Sequence, residues 1–298
     1  MSKSILVIGG TGQQGSALAS ELLRRGHKVH IFTREPSSPV PQELSGRGAI
    51  IHAGNLDDIN VLRSAAQNVD GVFLVLRALG SEVFHATNVI QAAKEAGVIH
   101  MVYTSVARTG DHENFPRWRK DYPLADYWLN KALIEDRIRS AGFVHWTIMQ
   151  PAFFVQNFDK PYTDYMFPGL TDKKELVVAY KPHTRLDLIH LTDIARLCAD
   201  AFDLPSKYSG KTIPLAAESL TIDEIVQILS NSSHGPIKAK YRTAEEAQKL
   251  EDEGDLIIAS QIWQRDVGYG VDLQELKQYD DAHLITFAET VARGGLKW

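Results

Sequence analysis

The sequence predicts an α/β protein built on a doubly wound parallel sheet, followed by a smaller α/β lobe. Three observations carry this expectation. Short apolar runs alternate with helix-length amphipathic segments from Ile5 to Met149. Several of those runs are apolar at every position, as strands covered on both faces must be. A glycine-spaced turn, Gly9-Gly10-Thr11-Gly12-Gln13-Gln14-Gly15, joins the first run to the first helix.

Each element has its own signal. Residues 5–8, Ile-Leu-Val-Ile, are a buried strand ended by glycines. From 15 to 25 the apolar positions Ala17, Leu18, Leu22 and Leu23 keep helical spacing, and Gly26 stops the helix. Residues 29–33 read as the second strand and 49–52 as a short third. Asn55-Leu56-Asp57-Asp58 caps a helix whose inner face carries Ile59, Leu62, Ala65 and Ala66. Residues 71–76 form a continuous apolar strand, and 83–96 a helix ended by Gly97. Then come a strand at 98–104, a helix at 125–141 ended by Gly142, and a sixth strand at 144–149. Six strands separated by helices make a Rossmann-type sheet. After Pro151 the rhythm changes. Residues 152–175 read as an aromatic-rich loop; helices are expected at 192–202, 221–229, 244–251 and 283–292, and short strands at 176–179, 211–215 and 237–241. The expected division is therefore 1–151 and 152–298, packed as one body.

Composition excludes several classes. The chain has 298 residues, 44% hydrophobic and 23% charged, which is globular and ample for a core. Its one cysteine, Cys198, falls on a helix face with Ile194, Leu197 and Phe202, so it reads as a core thiol in a reducing compartment. No apolar run reaches the roughly 18 residues of a membrane span, and the N-terminus lacks a signal-peptide layout. A cytoplasmic protein with no membrane partner is expected. Net charge is −5, and residues 1–150 carry 16 basic and 14 acidic side chains. The only basic cluster, Arg117-Trp118-Arg119-Lys120, is followed at once by Asp121 and reads as a solvated loop, so no nucleic-acid partner is expected. The eleven histidines show no metal-ligand spacing.

The glycine turn is the strongest functional signal. Gly9 permits the tight turn, Gly12 lets the backbone approach a pyrophosphate, and Gly15 lets helix and strand pack closely. The helix N-terminus offers free N–H groups and partial positive charge to phosphate. Strand two ends Phe32-Thr33-Arg34. A carboxylate there suits a free ribose hydroxyl, whereas Arg34, with Thr33 beside it, suits a 2′-phosphate. NADP(H) is the expected cofactor. Val75-Leu76-Arg77 closes strand four and is expected to pass close to it, with Arg77 meeting a phosphate, a substrate anion or only solvent.

This G-x-x-G-x-x-G spacing with Gly10 and Thr11 resembles atypical short-chain dehydrogenases, and most closely the NmrA-like family. Gly54-Asn55-Leu56-Asp57-Asp58 is similar to that family's Gly-Asp-x-x-Asp turn beside the adenine, with Asn55 in place of the first acid. Asn130-Lys131 through Glu135, then Gly142, then Thr147 to Pro151 resembles its lysine helix, strand and proline block. Phe153-Phe154 with Asn157, and His190-Leu191-Thr192-Asp193-Ile194-Ala195, match two later segments. The resemblance covers about residues 3–230 and departs at Gln150, where the family usually carries Arg. It implies cofactor contacts at Gly9, Thr11, Gly12, Gln13, Gln14, Gly15, Thr33, Arg34, Asn55, Leu56, Val75, Leu76, Arg77, Lys131, Pro151, Phe153 and Asn157. It also implies one of two roles, since family members divide into reductases and catalytically silent NADP sensors that regulate protein partners.

Catalytic residues are what separate the two. Tyr127 and Lys131 sit at i,i+4 and share a helix face. In short-chain reductases such a tyrosine gives a proton to the substrate, the lysine lowers its pKa and binds the nicotinamide ribose, and a serine orients the substrate. Ser105 lies just past strand five, where that serine belongs, with Thr104 the alternate. Phe153, Phe154, Phe158, Tyr162, Tyr165, Met166 and Phe167 crowd one short segment. Either they stack on a planar apolar substrate, with Phe153, Phe154, Phe158 and Tyr162 foremost, or they fasten the lobe. The expectation is an NADP(H)-dependent oxidoreductase reducing a carbonyl, imine or conjugated double bond in an apolar or aromatic molecule. The alternative is a non-catalytic NADP(H)-sensing regulator of a protein partner.

Overall fold

The structure, a computed structural model, describes residues 1–78, 80–232, 235–279 and 283–297. The chain begins β1 (Ser4–Ile8), α1 (Gln13–Arg24), β2 (Lys28–Thr33), α2 (Pro39–Gly46), β3 (Ile50–Ala53), α3 (Ile59–Ala65), β4 (Gly71–Leu74), α4 (Glu82–Glu95), β5 (His100–Thr104), α5 (Ala125–Ser140) and β6 (His145–Pro151). It continues β7 (Phe153–Phe154), α6 (Tyr162–Met166), α7 (Leu170–Lys173), β8 (Glu175–Val178), β9 (Arg185–Ile189), α8 (Leu191–Asp203), α9 (Pro205–Tyr208) and β10 (Lys211–Leu215). It closes with β11 (Glu218–Thr221), α10 (Ile222–Ser230), β12 (Lys238–Tyr241), α11 (Ala244–Asp252), α12 (Leu256–Asp266) and α13 (Phe287–Ala292).

Two compact units result. The first comprises Met1–Gly110, Asp126–Gln150 and Leu191–Ile213. Its sheet has seven strands in the order β10-β6-β5-β4-β1-β2-β3. Neighbours from β3 to β6 pair in parallel. This is the doubly wound order, and it reverses direction between β1 and β4, the crevice where such sheets bind ligands. One face packs Leu6, Ile8, Phe32, Leu74, Met101 and Ile148 against Leu62, Val89, Ile134 and Ile138 of α3, α4 and α5. Just past α1, Arg25 Nη1 reaches Asp200 at 2.6 Å and Asp203 at 2.9 Å, which joins α8 to the end of α1. Cys198 of α8 is fully buried, and burial pushes its thiol pKa up, as a core thiol requires.

The second unit comprises Asp111–Ala125, Pro151–His190 and the chain from Pro214 onward. It holds a three-stranded sheet, β11-β9-β7, and a parallel pair, β12-β8. Its core is Phe153, Phe158, Phe167, Leu176, Leu188, Ile222, Ile225 and Phe287. Thr221, Thr243 and Thr286 each close a capping box at the start of α10, α11 and α13.

Several expectations need correction. The large sheet has seven strands, because 211–215 joins it beside β6. The compact units do not follow a single cut after 151: the α8 region returns to the first unit and 111–125 belongs to the second. Chain order alone does not reveal such a return. Helix α2 lies outside the expected elements; Pro39 and Pro41 sit in its first turn, where Pro loses only an N–H that has no helical partner. Strands β9 and β11 and helix α12 were also missed. The last helix starts at Phe287, not 283.

Candidate active site

The glycine turn bridges β1 and α1 as its spacing requires. Gly9 adopts φ +80°, and a Cβ there would lie 2.6 Å from the Val75 carbonyl oxygen, just past β4. Gly12 is the N-cap of α1 and its N–H donates to the Gly9 oxygen at 3.0 Å. A Cβ on Gly15 would lie 2.2 Å from that same oxygen. Helix and turn therefore touch backbone to backbone at Gly15. Above Gly12 the situation differs, for its Cβ would make one ordinary contact, 3.5 Å from the Gly9 oxygen.

These features fit a pyrophosphate. No side chain caps α1 and no acidic residue lies in its first turn, so its leading N–H groups and partial charge face outward uncompensated. The buried Gln14 Oε1 has no hydrogen-bond partner among the described residues. Thr11 and Gly12 are exposed and Gln13 is half-buried. Thr33 is buried, and its hydroxyl accepts from the Glu35 N–H at 3.1 Å, so it shapes the turn after β2. Arg34 on that turn is exposed and makes no hydrogen bond or ion pair among the described residues. Beside it, the Gly54 N–H donates to the Thr33 oxygen at 2.9 Å, which sets the turn after β3 against the turn after β2. In that turn Asn55 Nδ2 donates to Asp57 Oδ2 at 2.7 Å, and the Leu56 carbonyl accepts from Asn88 Nδ2 at 2.9 Å. Val75 and Leu76 are half-buried and Arg77 is exposed.

On α5, Lys131 lies on the inner face at 6% exposure, with Tyr127 half-buried one turn earlier. The Lys131 ammonium is 5.5 Å from the ring centre of Tyr103 and 5.9 Å from that of Tyr127. Burial lowers the lysine pKa to about 8, while Glu82 and Glu135 oppose the fall. Burial raises the Tyr127 phenol above its ordinary value, so it holds its proton. Tyr127 also stands edge-on to Trp128, 5.3 Å between ring centres. Ser105 is presented just past β5 by a hydrogen bond from its N–H to the Met149 oxygen at 2.8 Å, and its hydroxyl lies 3.0 Å from Thr109 Oγ1. Thr104 is fully buried, which leaves Ser105 the hydroxyl nearer the surface.

Residues 1–284 match the NmrA-like family. The chain belongs to that family. An NmrA-like family domain-containing protein of Dictyostelium discoideum is 30% identical over 270 residues, covering 87% of each chain. An NAD(P)H azoreductase of Xenophilus azovorans is 27% identical over 250 residues, covering 82% of this chain and 79% of the relative. Among solved structures, NmrA, described as a negative transcriptional regulator in complex with NADP, superposes with a TM-score of 0.78 at 18% identity over 100% of this chain and 99% of its own. At that identity the likeness speaks for the fold.

In this NmrA-like chain the second unit holds the other expected residues. Phe158 is fully buried, stacked on Phe167 at 4.5 Å and edge-on to Phe287 at 5.0 Å. Phe153 packs into the same core. Both therefore pack in the core of the unit, the fastening role of the two that the sequence leaves open. Phe154, Asn157 and Tyr162 are half-buried, and Pro151 ends β6, buried. Both arginines of the basic cluster have acidic neighbours within the unit, Arg117 lying 3.8 Å from Glu251 and 3.7 Å from Asp266, and Arg119 2.7 Å from Asp121. Among the described residues no three side chains group as metal ligands, and no helix is long and apolar enough to cross a membrane.

The surroundings of Lys131 lie outside the expectations drawn from the sequence. Glu135 is 1% exposed; its Oε2 accepts from Arg139 at 2.5 Å and its Oε1 from Gln150 Nε2 at 2.9 Å. Gln150 thus has a definite role, holding a buried carboxylate one turn from Lys131. A glutamate on the apolar stripe of a helix was the signal that could have revealed it.

Proposed function

We propose that this chain is an NADP(H)-dependent oxidoreductase that reduces a carbonyl, imine or conjugated double bond in an apolar, aromatic molecule. The observation that carries the proposal is the buried Lys131 beside Tyr127 on the inner face of α5. A poised lysine next to a protonated phenol is equipment for proton delivery, and a bare phosphate-binding domain has no use for it. The turn from Gly9 to Gly15 would hold the pyrophosphate and Arg34 the 2′-phosphate; bound there, NADPH supplies a hydride to the acceptor. Tyr127 gives the matching proton to the acceptor atom that gains negative charge. Lys131 stabilises the phenolate left behind, and Ser105 steadies the acceptor by a hydrogen bond. The azoreductase relative supports the reductase reading, and the likeness of this chain to the regulator NmrA is one of fold alone.

Absorbance at 340 nm with quinones, aromatic ketones, imines and azo dyes separates a reductase from a silent sensor. A reductase oxidises NADPH with at least one acceptor, and Tyr127→Phe lowers turnover by about 10²-fold or more, the scale of a lost general acid. NADPH affinity stays nearly unchanged. Turnover that survives in Tyr127→Phe refutes the proton-donor role. NADPH binding without oxidation by any acceptor favours the sensor.

A further inference from the structure

Burial strips an ammonium of water and favours the neutral amine. Two buried carboxylates lie in the neighbourhood of Lys131, Glu82 at the start of α4, bonded to Asn130 next to Lys131 in the chain, and Glu135 one turn further along α5. Both are buried and both favour the charged lysine, Glu82 the more strongly. Each is fixed by a neutral amide. Asn130 Nδ2 donates to Glu82 Oε1 at 2.9 Å, and Gln150 Nε2 donates to Glu135 Oε1 at 2.9 Å. An amide donor orients a carboxylate without cancelling its charge. Arg139 works the other way, taking part of the Glu135 charge through its 2.5 Å contact. The remaining groups facing Lys131 are the phenols of Tyr103 on β5 and Tyr127 on α5, and burial keeps both protonated.

We propose that Glu82 and Glu135 are positioning residues that together keep Lys131 charged and held beside Tyr127, with Asn130 and Gln150 fixing their carboxylates in place. Their part in turnover rests on the oxidoreductase reading; their effect on Lys131 does not. Removal of either carboxylate leaves the ammonium under-compensated and lets it lose its proton nearer neutrality. Removal of Arg139 frees more of the Glu135 charge and has the opposite effect.

The test uses ligand-free protein with ε-¹³C-labelled lysine, Lys131→Arg identifying the resonance, and reads the Lys131 titration by NMR. The parent titrates near pH 8. Glu82→Gln and Glu135→Gln each move that midpoint down by about one pH unit, a tenfold loss of proton affinity, and Arg139→Gln moves it up. Circular dichroism checks each fold, and if Glu135→Gln fails to fold, Glu82→Gln and Arg139→Gln carry the test. A midpoint unmoved in either folded glutamate variant overturns the proposal. In the active protein the pH profile of NADPH oxidation shifts with the NMR midpoint. A parent that oxidises no NADPH defeats the oxidoreductase reading while the titration still decides the electrostatic one.

Discussion

Two glycines of one turn should fail in different ways. At Gly15 an added methyl would sit 2.2 Å from the Gly9 oxygen, 2.6 Å from the Gly9 carbonyl carbon and 2.8 Å from the Gly10 Cα. All three are backbone atoms, so relief requires α1 to move off the turn. Forcing extra volume into a backbone contact this short costs about 2–3 kcal/mol, the upper part of the usual range, and the better helix propensity of Ala returns about 1 kcal/mol. Gly15→Ala should therefore lose about 1–2 kcal/mol, or about 2–8 °C of Tm at this chain length. NADPH affinity should fall with it, because the leading N–H groups of α1 move. Gly12 is different: its φ of −87° suits any residue, and its Cβ would make only an ordinary contact. Gly12→Val should leave Tm within about 2 °C, since the backbone carries no strain. Its affinity for NADPH should still drop tenfold or more, about 1.4 kcal/mol, because the side chain stands over the groups meant for phosphate. Thermal melts and calorimetric NADPH titrations of both variants decide the matter. A Gly15→Ala protein as stable as the parent refutes the packing argument, and tight NADPH binding by folded Gly12→Val refutes the phosphate site.

Arg34 is exposed with no partner among the described residues, so a charge-assisted contact with a 2′-phosphate, about 1.5–3 kcal/mol, should make NADPH bind about 10- to 100-fold tighter than NADH. Arg34→Ala should erase most of that preference, and equal affinities in the parent would sink the assignment. Burial, with His52 adding to it, lowers the pKa of His30 to about 4, and burial lowers that of His100 to about 3. Both are neutral in the folded chain where the unfolded chain, near 6.5, binds protons, so stability should fall as pH drops from about 6.5 to 4. Urea midpoints at pH 7 and pH 5 measure the loss, and His30→Gln with His100→Gln should flatten it. Phe158→Ala should cost about 3–5 kcal/mol, the usual penalty for emptying a buried aromatic site. Chemical denaturation reads that loss, and a cost under about 1 kcal/mol would contradict the Phe158–Phe167–Phe287 packing.

The sheet from β1 to β6 and its glycine turn were legible because their signals are local. An all-apolar run, a glycine after a helix and a glycine triplet between strand and helix each act over a few residues. The same locality explains Tyr127 and Lys131, whose i,i+4 spacing is a property of one helix. What lay beyond reach was set by distant neighbours. The run at 211–215 reads as a strand from its pattern, but only tertiary pairing puts it in the large sheet instead of the lobe. The aromatic segment after Pro151 was equally compatible with a ligand surface and a core, and Phe158 became core because Phe167 and Phe287 close over it. Gln150 was unreadable as a single letter; across the fold it holds the carboxylate of Glu135 beside Lys131. Local conformation is written in short-range sterics and periodicity, whereas burial and charge depend on what the rest of the chain brings alongside.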